Sequence, residues 1–541
     1  MNLLHQNLEQ AAERAPDKVA LRCADHAMTY AELDRASSQL ANLLIRSGVK
    51  PADTIGIRLT LSTASVVAVY GVLKAGAIYL PIDSDLPVQQ TCEILRANDV
   101  RTLITFNLNK LTSDQIATQA PLVSTLVGPE KHDPEEHDPE EHADSLRVIP
   151  WSTIETSPTC PSVARLPSDS AYIISTSGST GDPKGILHTH SSGQRYAELT
   201  VDEYALNTDD VIASPSPLHF DMSTFGIFAG ILAGATVVIV PPAYARLSAS
   251  LSTLIERERI TIWYSVPFAL MQLLERGNLQ DRDCESLRWV VFAGEGFPTK
   301  PLNRLRKTWP FAAFSNAYGP AETNVCTVYN IPPINGQLQP KMFETNVPIG
   351  KPWGDNRAFV LAKDGHPTPP GECGELVIHT QTMMNRYVNG QTDDENTFWI
   401  DHISGDRFYR TGDFVRVNQF GEYNFQGRID RQTKVRGHRI ELDAIETAIL
   451  RHPSVQECSV TSVKTDESAE LSATLTIIQN ATHEISSGDI QRWLSQKLPA
   501  YCIPPTVRIA DHLPRTSTGK IDRMLVARHP SPTNPKGVFT Q

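Results

Sequence analysis

Several features that define other classes of protein are missing from this sequence. No apolar run reaches about 18 residues, the length that a membrane span requires. Lys and Arg (49 residues) are outnumbered by Asp and Glu (61), and the eight cysteines are scattered without a CxxC pair. We therefore expect no membrane association, no nucleic-acid partner and no zinc or disulfide framework. A reducing, cytoplasmic location fits this cysteine usage.

The N-terminal stretch MNLLHQNLEQAAERAPDK contains acidic residues and lacks a basic region followed by an apolar core. It predicts an amphipathic helix and no signal peptide. Farther on, Thr29 and Glu32 have the spacing of a helix capping box. The strand-like TIGIRL and AIYLPI then flank the helix-like STASVVAVYGVLKAG, and similar alternation recurs at LSTLIERERITIWYSV and LRWVVFAG. This order predicts an α/β fold of parallel sheets wrapped by helices.

The order of predicted helices and strands changes near residue 431. RIELDAIETAILRHPSV predicts a compact helix, ECSVTSVK and LSATLTII predict strands, and SSGDIQRWLSQKLP predicts another helix. These segments form a small α+β unit of their own. We place the boundary between a domain at 1–429 and a second at 430–541, inside the charged segment GRIDRQTKVRGHRIEL, which could act as a hinge.

An acidic, His-rich segment near residues 131–145 contains HDPEE twice. Proline breaks any helix there and the carboxylates repel one another, so the segment predicts a solvated loop. A His-rich metal site is the alternative.

A loop of small and hydroxyl residues follows the strand-like start of YIISTSGSTGDPKGILHTH (172–190). Backbone N–H groups from Thr176 to Gly181, with the hydroxyls and Lys184, would make a nest for an anion such as phosphate. A surface loop without a ligand is the alternative. The GxxxxGK[ST] pattern of a P-loop NTPase fits poorly, because Gly185 follows Lys184 and Pro183 precedes it.

Four later stretches add to this interpretation. NAYGPAETNVC places Tyr318, whose ring can stack on a purine, beside a Gly-Pro turn and Glu322, whose carboxylate can hold Mg²⁺ against phosphates. YRTGDFVRV offers the carboxylate of Asp413, which can accept hydrogen bonds from both hydroxyls of a ribose. GRIDRQTKVRGHRIEL and LPRTSTGKIDR supply three further charged residues, Arg428, Asp430 and Lys520. Each alone fits an ordinary turn or surface charge; the ordered set does not.

This ordered set resembles the adenylate-forming superfamily, which includes acyl-CoA synthetases and the amino-acid adenylation domains of nonribosomal peptide synthesis. The resemblance runs from LKAGAIYLPID to TGKIDR. It implies a large N-terminal domain of parallel sheets with a distorted β-barrel, which binds ATP and substrate, and a small mobile C-terminal lid. It also implies that a carboxylate attacks the α-phosphate of ATP, releasing pyrophosphate, before a thiol takes the acyl group.

The resemblance implies a role for each motif. The loop would wrap the leaving pyrophosphate with Thr176, Ser177, Gly178, Ser179, Thr180, Gly181 and Lys184. Glu322 would hold Mg²⁺, Tyr318 would lie against adenine, and Asp413 with Arg428 would fix the ribose. Further nucleotide contacts would come from Gly294, Glu295, Asn316, Ala317, Gly319 and Thr323. Lys520 would stabilise negative charge as it shifts toward the leaving group.

The segment PLHFDMSTF places Asp221 where amino-acid adenylation domains carry the aspartate that pairs with the substrate's α-ammonium; an aspartate that caps a turn is the alternative. The rest of the side-chain pocket would be Met222, Phe225, Tyr264, Val291, Ala293, Ala317, Val325 and Cys326. No charge other than Asp221 and Lys520 would face the substrate, so a small or medium apolar side chain is expected. Tyr264 and the Val325–Cys326 pair resemble enzymes that load L-proline onto a carrier; alanine is the next candidate.

Only 21 residues follow Lys520, and neither a phosphopantetheine attachment motif nor an HHxxxDG condensation motif occurs. We therefore expect a separate carrier protein with a phosphopantetheine thiol. In the family the lid turns about a hinge residue, here Asp430, and brings the face near Lys434 and Gly437 toward the thiol. An acyl-CoA or aryl-CoA ligase is one alternative, and a non-catalytic nucleotide-binding scaffold is another.

Overall fold

A computed structural model of the chain describes residues 2–106, 113–128, 146–159, 162–176, 184–245, 247–335, 342–344, 347–369, 371–388, 397–464, 469–478, 485–516 and 521–528. They form two compact units, the first ending at Asp430 and the second having its main body from Arg431 onward. The predicted domain boundary lies one residue from this division. No described helix combines the length and apolar character that a membrane crossing requires.

The first unit begins with alternating helices and strands. Up to residue 176 the strands are β1 (Val19–Cys23), β2 (His26–Thr29), β3 (Thr54–Arg58), β4 (Ile78–Pro81), β5 (Thr102–Thr105), β6 (Thr125–Gly128), β7 (Arg147–Pro150) and β8 (Ser170–Thr176). The helices in this part are α1 (Leu4–Arg14), α2 (Tyr30–Arg46), α3 (Thr63–Lys74), α4 (Val88–Ala97), α5 (Ser113–Gln119) and α6 (Thr153–Thr156).

The remainder of the first unit is richer in strands. They are β9 (Lys184–Thr189), β10 (Val211–Ser214), β11 (Thr236–Ile239), β12 (Ile262–Ser265), β13 (Trp289–Phe292), β14 (Ala313–Tyr318), β15 (Thr327–Ile331), β16 (Lys351–Pro352), β17 (Arg357–Leu361), β18 (Cys373–His379), β19 (Arg386–Val388), β20 (Phe398–Ile400), β21 (Arg407–Val417) and β22 (Tyr423–Arg428). The helices are α7 (His190–Tyr204), α8 (Pro242–Ala245), α9 (Ser248–Glu258), α10 (Pro267–Arg276) and α11 (Thr299–Thr308), with a π-helical segment at Phe225–Gly230 and a 3₁₀ turn at Leu279–Asp281.

Two large, mainly parallel sheets organise this unit. The nine-stranded sheet has the order β16-β15-β14-β13-β12-β10-β11-β1-β2, and the eight-stranded sheet has the order β19-β9-β8-β4-β3-β5-β6-β7. Among the described strands of these two sheets, antiparallel pairs occur only near the sheet edges. The strands β17, β18, β20, β21 and β22 pair antiparallel in a third sheet.

The predicted helices form for the reasons that their sequences indicate. Thr29 caps α2, accepting from the Glu32 amide, while the Glu32 carboxylate accepts from the Thr29 amide at 2.8 Å. Helix α3 is apolar on nearly all sides and almost wholly buried. Its Gly71 lies against Leu40 of α2 so closely that a β-carbon would come within 2.7 Å of that side chain. One large core cluster joins α2 and α3 to strands of both large sheets.

The second unit contains the small α+β arrangement predicted from the sequence. Its strands are β23 (Gln432–Val435), β24 (His438–Glu441), β25 (Val455–Lys464), β26 (Ala469–Ile477) and β27 (Thr506–Ile509), and its helices are α12 (Leu442–Leu450), α13 (Ser487–Ser495) and α14 (Arg523–Arg528). A 3₁₀ turn covers Ala500–Cys502.

One helix prediction in this unit is wrong at its start. RIELDAIETAILRHPSV is not helical throughout, because His438–Glu441 forms β24 and the helix spans only Leu442–Leu450. Arg436 and Gly437 both have positive φ, 52° and 82°, and make the tight turn that pairs β24 with β23. Such a two-residue turn commits the following residues to a hairpin strand before a helix can begin.

Three buried histidines in the first unit are held neutral. Burial lowers the pKa of His5 to about 3 and the pKa values of His188 and His190 to about 4. The rings of His5 and His190 meet edge to face at 5.8 Å between α1 and α7, and Lys74 also lowers the pKa of His5. Among the described residues, neither ring nitrogen of His5 has a hydrogen-bond partner.

These histidines predict a loss of stability in mild acid. Their folded pKa values lie below the unfolded value near 6.5, so the unfolded chain binds more protons between about pH 6.5 and 4. The free energy of unfolding should be greatest above pH 6.5 and fall as pH decreases, by about 1.4 kcal/mol per pH unit for each histidine. Urea unfolding at pH 7.5 and 5 measures this change. The His5→Leu variant should have a smaller pH dependence; equal pH dependence in both proteins would contradict the account.

Candidate nucleotide and amino-acid site

The carboxyl ends of three adjacent parallel strands carry many of the predicted site residues. Tyr264 of β12 is the register partner of Val291 in β13, and Phe292 of β13 is the partner of Asn316 in β14. Gly294, with φ of 94°, turns the chain after β13. Crevices at the carboxyl ends of parallel strands are where ligands bind in α/β folds.

Most of the predicted pocket residues belong to the large core cluster that also contains residues of α2 and α3. Its predicted members are Met222, Phe225, Tyr264, Val291, Ala293 and Ala317, with Val325 partly buried against them. The rings of Phe225 and Tyr264 are 5.0 Å apart. Cys326 is separate from this group: it is fully buried in a second cluster with Ile349 and residues of the third sheet. Seven of the eight predicted apolar residues therefore belong to the large core cluster or pack against it, and Tyr264 is a direct neighbour of two of them, Phe225 and Val291.

The carboxylate of Asp221 is partly buried beside this cluster. Its Oδ1 accepts a hydrogen bond from the amide of the next residue, Met222, at 2.8 Å. A capping aspartate instead accepts from an amide two or three residues farther on. Burial is the main cause that raises the pKa of Tyr264, and Tyr196 and then Asp221 raise that pKa further. Asp221 contributes in the same direction at Tyr172 and Tyr196, two buried tyrosines of β8 and α7. The carboxylate thus makes a local backbone bond and raises the pKa of three buried tyrosines.

Residues Tyr318–Cys326, which we call the 318–326 loop, join β14 to β15. The Cys326 amide donates to the Tyr318 carbonyl at 2.8 Å, which closes the loop on itself. At Gly319 a β-carbon would lie 1.6 Å from the carbonyl oxygen of Asn324, so no other residue fits this crossing. Asn324 itself has φ of 52°. The loop is therefore a tightly folded unit whose shape depends on glycine.

Glu322 sits in the 318–326 loop and is only 1% exposed. Its Oε1 accepts from the hydroxyl of Tyr387 in β19 at 2.9 Å. The Met384 amide donates to the Glu322 carbonyl at 2.7 Å, and Thr382 Oγ1 donates to the Thr323 carbonyl at 2.6 Å. Since a carboxylate in this position is fixed through both its backbone and its side chain, Glu322 is suited to hold a cation in one place.

His188 supports the same loop from β9. Its pKa is lowered to about 4 by burial, which outweighs the opposing effects of the hydrogen bond to Ala321 and of Glu322. Nε2 lies 3.0 Å from the Ala321 carbonyl, which accepts only, so this nitrogen carries the proton and donates. The ring stacks on Tyr172 with centroids 4.8 Å apart.

A chain of polar contacts joins the predicted adenine and ribose residues. The Tyr318 hydroxyl donates to Asp413 Oδ2, and Arg428 Nη1 donates to Asp413 Oδ1 at 2.5 Å. Burial, with Asp413 adding to it, raises the pKa of Tyr318 well above its usual value. Arg428 also makes two bonds of 2.6 Å to Asp430, the predicted hinge residue. These four residues form one connected group within the first unit.

Other predicted nucleotide contacts lie around these groups. Asn316 donates from Nδ2 to the Pro348 carbonyl at 2.8 Å, and Glu295 Oε1 accepts from the Phe268 amide at 3.1 Å. The hydroxyl of Thr323 donates within its own loop. These side chains brace the backbone around the carboxyl ends of β12 to β14.

The predicted phosphate-binding loop is described only at its ends. Thr176 and Lys184 are register partners of β8 and β9. Ser177, Gly178, Ser179, Thr180 and Gly181 lie outside the described residues, as does Lys520. Lys434 is in β23 and Gly437 is in the turn after it, both in the second unit. Their roles stay predictions.

Four residues around the site were not predicted from the sequence: Tyr172, His188, Tyr196 and Tyr387. Tyr172 and His188 lie on either side of the Ser-Thr-Gly loop in the sequence, where their pattern predicts only ordinary strand residues. Tyr387 lies in the sequence NRYVNG, where an aromatic residue in a short strand gives no sign of a carboxylate partner. Only their placement by the eight-stranded sheet and α7 brings them to Asp221 and Glu322.

The strand order, the 318–326 loop and the Tyr318–Asp413–Arg428 group define an α/β protein of the nucleotide-binding class. Residues 8–388 match the AMP-binding enzyme family, and residues 444–520 match the AMP-binding enzyme C-terminal domain. The chain therefore belongs to the AMP-binding enzyme family, the adenylate-forming superfamily that its motifs resemble.

Two relatives match over nearly their full length. The chain is 32% identical over 533 residues to an L-proline–[L-prolyl-carrier protein] ligase of Pseudomonas fluorescens, covering 98% of this chain and 99% of that protein. It is 32% identical over 520 residues to a protein of the same name from Streptomyces coelicolor, covering 94% of each. The structure of an artificially fused adenylation–PCP di-domain NRPS from Klebsiella oxytoca matches with a TM-score of 0.76 and 23% identity over 94% of this chain and 93% of that one, a likeness of fold.

The close approach of Gly319 to the Asn324 carbonyl predicts that substitution of this glycine lowers the free energy of unfolding more than substitution of an unconstrained glycine. Gly319→Ala should lower the free energy of unfolding by about 2 kcal/mol or more, because the added methyl overlaps the Asn324 carbonyl. Gly296→Ala is a matched control, since a β-carbon there meets no atom within 4 Å, and should change stability by less than about 0.5 kcal/mol. Urea unfolding of both variants measures the difference; equal stabilities would show that the loop is not constrained as described.

Proposed function

We propose that the protein activates an amino acid with ATP as aminoacyl-AMP, releases pyrophosphate, and transfers the aminoacyl group to the phosphopantetheine thiol of a separate carrier protein. In the first step an oxygen of the substrate carboxylate forms a bond to the α-phosphorus while the bond to the bridging oxygen of the β-phosphate breaks. In the second step the thiol attacks the carbonyl and AMP leaves. Two full-length relatives named as carrier-protein ligases support this assignment.

The single observation that carries the amino-acid assignment is the placement of Asp221. Its carboxylate adjoins the apolar cluster of Phe225 and Tyr264, so one ligand could present an ammonium to the carboxylate and an apolar side chain to the rings. At about 4 Å and an effective dielectric constant near 20, such an ion pair contributes roughly 4 kcal/mol before desolvation. That is enough to favour amino acids over acids that lack the ammonium.

ATP would be held at the carboxyl ends of β12 to β14. Asp413, oriented by Arg428 and Tyr318, would accept hydrogen bonds from the ribose hydroxyls, and Tyr318 would lie beside adenine. Lys184 would contact the departing phosphates, and Lys520 would stabilise charge on the reacting oxygens. Little proton transfer is needed, because a carboxylate is already a nucleophile; these side chains act by position and charge.

Glu322 is the residue that would hold Mg²⁺. Its carboxylate fits, because it is buried, immobilised by the 318–326 loop and supplies the oxygen ligand that this ion prefers. Mg²⁺ is usually bound by one or two carboxylates together with substrate phosphates. When bound it would offset the negative charge of the phosphates. Among the described residues, no group of three ligating side chains surrounds Glu322.

The substrate side chain is proposed to be small or medium and apolar, with L-proline first and alanine second. The predicted pocket residues in the core cluster include two aromatic residues, Phe225 and Tyr264, with ring centroids 5.0 Å apart, and two small residues, Ala293 and Ala317. The names of the two relatives support proline. One methylene changes binding in such a pocket by only about 1–3 kcal/mol, so the pocket alone does not separate these two amino acids.

A CoA ligase acting on a plain carboxylic acid is the alternative, and Asp221 distinguishes the two. Exchange of labelled pyrophosphate into ATP should depend on an amino acid, with L-proline the best substrate in a panel that includes D- and L-alanine and β-alanine. Asp221→Ala should then reduce this exchange at least about 100-fold, since the lost pair is worth more than 2.7 kcal/mol.

Asp17→Ala provides the control, because Asp17 is an exposed carboxylate remote from the pocket in sequence; its exchange rate should equal that of the unsubstituted protein. Exchange that is supported by a plain acid, and that Asp221→Ala leaves intact, would contradict the amino-acid assignment and favour the CoA ligase.

A further inference from the structure

Tyr387 lies between Glu322, the carboxylate proposed to hold Mg²⁺, and Lys184, the ammonium proposed to contact the departing phosphates. It lies in β19, which pairs antiparallel with β9, and its register partner is Ile186. Lys184, the first residue of β9, is therefore close to it across the pair. The residue is 8% exposed and packs with Ile186, Met384, Phe398 and Tyr409. This packing leaves the tyrosine little freedom to move.

The hydroxyl of Tyr387 contacts Glu322 directly. An ionised carboxylate only accepts hydrogen bonds, so Tyr387 donates to Oε1, at 2.9 Å. The Tyr409 hydroxyl lies 3.4 Å away, and it must be the donor in that contact because Tyr387 has already used its single proton. The bond to Glu322 thus has one direction and a fixed geometry.

The face of the same ring lies beneath Lys184. The Nζ atom is 5.7 Å from the ring centroid, within the range in which a cation is attracted to an aromatic face. One rigid side chain therefore contacts both the carboxylate proposed to hold Mg²⁺ and the ammonium proposed to contact the departing phosphates.

We propose that Tyr387 is a positioning residue for the metal and phosphate side of the adenylation step. It orients the Glu322 carboxylate through its hydroxyl and Lys184 through its ring, so that both are in place when Mg²⁺ and ATP bind. This inference rests on the proposed function. Hydrogen-bond partners of a metal-binding group typically change metal affinity by about 10-fold to 100-fold when removed.

Tyr387→Phe tests the hydroxyl while it retains the ring. The concentration of Mg²⁺ that gives half of the thermal stabilisation by ATP should rise at least about 10-fold over the unsubstituted protein. Thermal unfolding with ATP and graded Mg²⁺, against ATP with EDTA, measures this without turnover. The half-saturating Mg²⁺ in pyrophosphate exchange should rise in parallel, and exchange should recover at high Mg²⁺.

Tyr423→Phe is the matched control. Tyr423 is also 8% exposed, and its hydroxyl donates to the Ala358 carbonyl, away from Glu322. Its Mg²⁺ dependence should equal that of the unsubstituted protein. A Tyr387→Phe variant with unchanged Mg²⁺ dependence, or with a loss that Mg²⁺ does not restore, would overturn the inference while leaving the proposed function intact. Failure of the unsubstituted protein to exchange pyrophosphate with any amino acid or short acid would overturn both.

Discussion

The crossing of Gly319 over the Asn324 carbonyl is the constraint on which the candidate site depends. It allows the 318–326 loop to close between β14 and β15, and that closure sets the positions of Tyr318 and Glu322 together. Neighbouring strands then hold the loop through His188 and through donors at residues 382–387. A carboxylate that is buried and braced on several sides costs little reorganisation when charge develops nearby, which is how electrostatic catalysis operates.

Two polar groups, each made of a tyrosine, a carboxylate and a cationic side chain, include residues of this loop. On one side Tyr318, Asp413 and Arg428 form a hydrogen-bonded group, and Arg428 continues to Asp430 at the end of the first unit. On the other side Tyr387 links Glu322 to Lys184. Asp221 lies next to Met222 of the large core cluster, which also includes Phe225 and Tyr264. Under the proposed function, these three groups would provide separate contacts for the ribose, the phosphates and the amino-acid substrate.

Much of the fold follows from patterns that act over short distances along the chain. The capping box at Thr29, the apolar α3 and the alternation of strand and helix are local, and the structure confirms them. The start of α12 was mispredicted because a two-residue turn at Arg436 and Gly437 overrides the helical pattern. The contacts of Tyr172, His188, Tyr196 and Tyr387 could not be predicted, since they depend on sheet order and not on neighbouring residues. The surroundings of Cys326 could not be predicted either, because it is buried in a cluster with residues of the third sheet that are distant in sequence.

The central claim is that a substrate carboxylate attacks the α-phosphate of ATP. It is tested most directly by turnover with an amino acid whose carboxylate oxygens are ¹⁸O, in the presence of the thiol acceptor, followed by mass spectrometry of the nucleotide. Attack at the α-phosphorus and later release from the carbonyl transfer one labelled oxygen to AMP. The account predicts AMP that carries one ¹⁸O. Label in inorganic phosphate with formation of ADP would contradict it, because it would place the attack at the γ-phosphate.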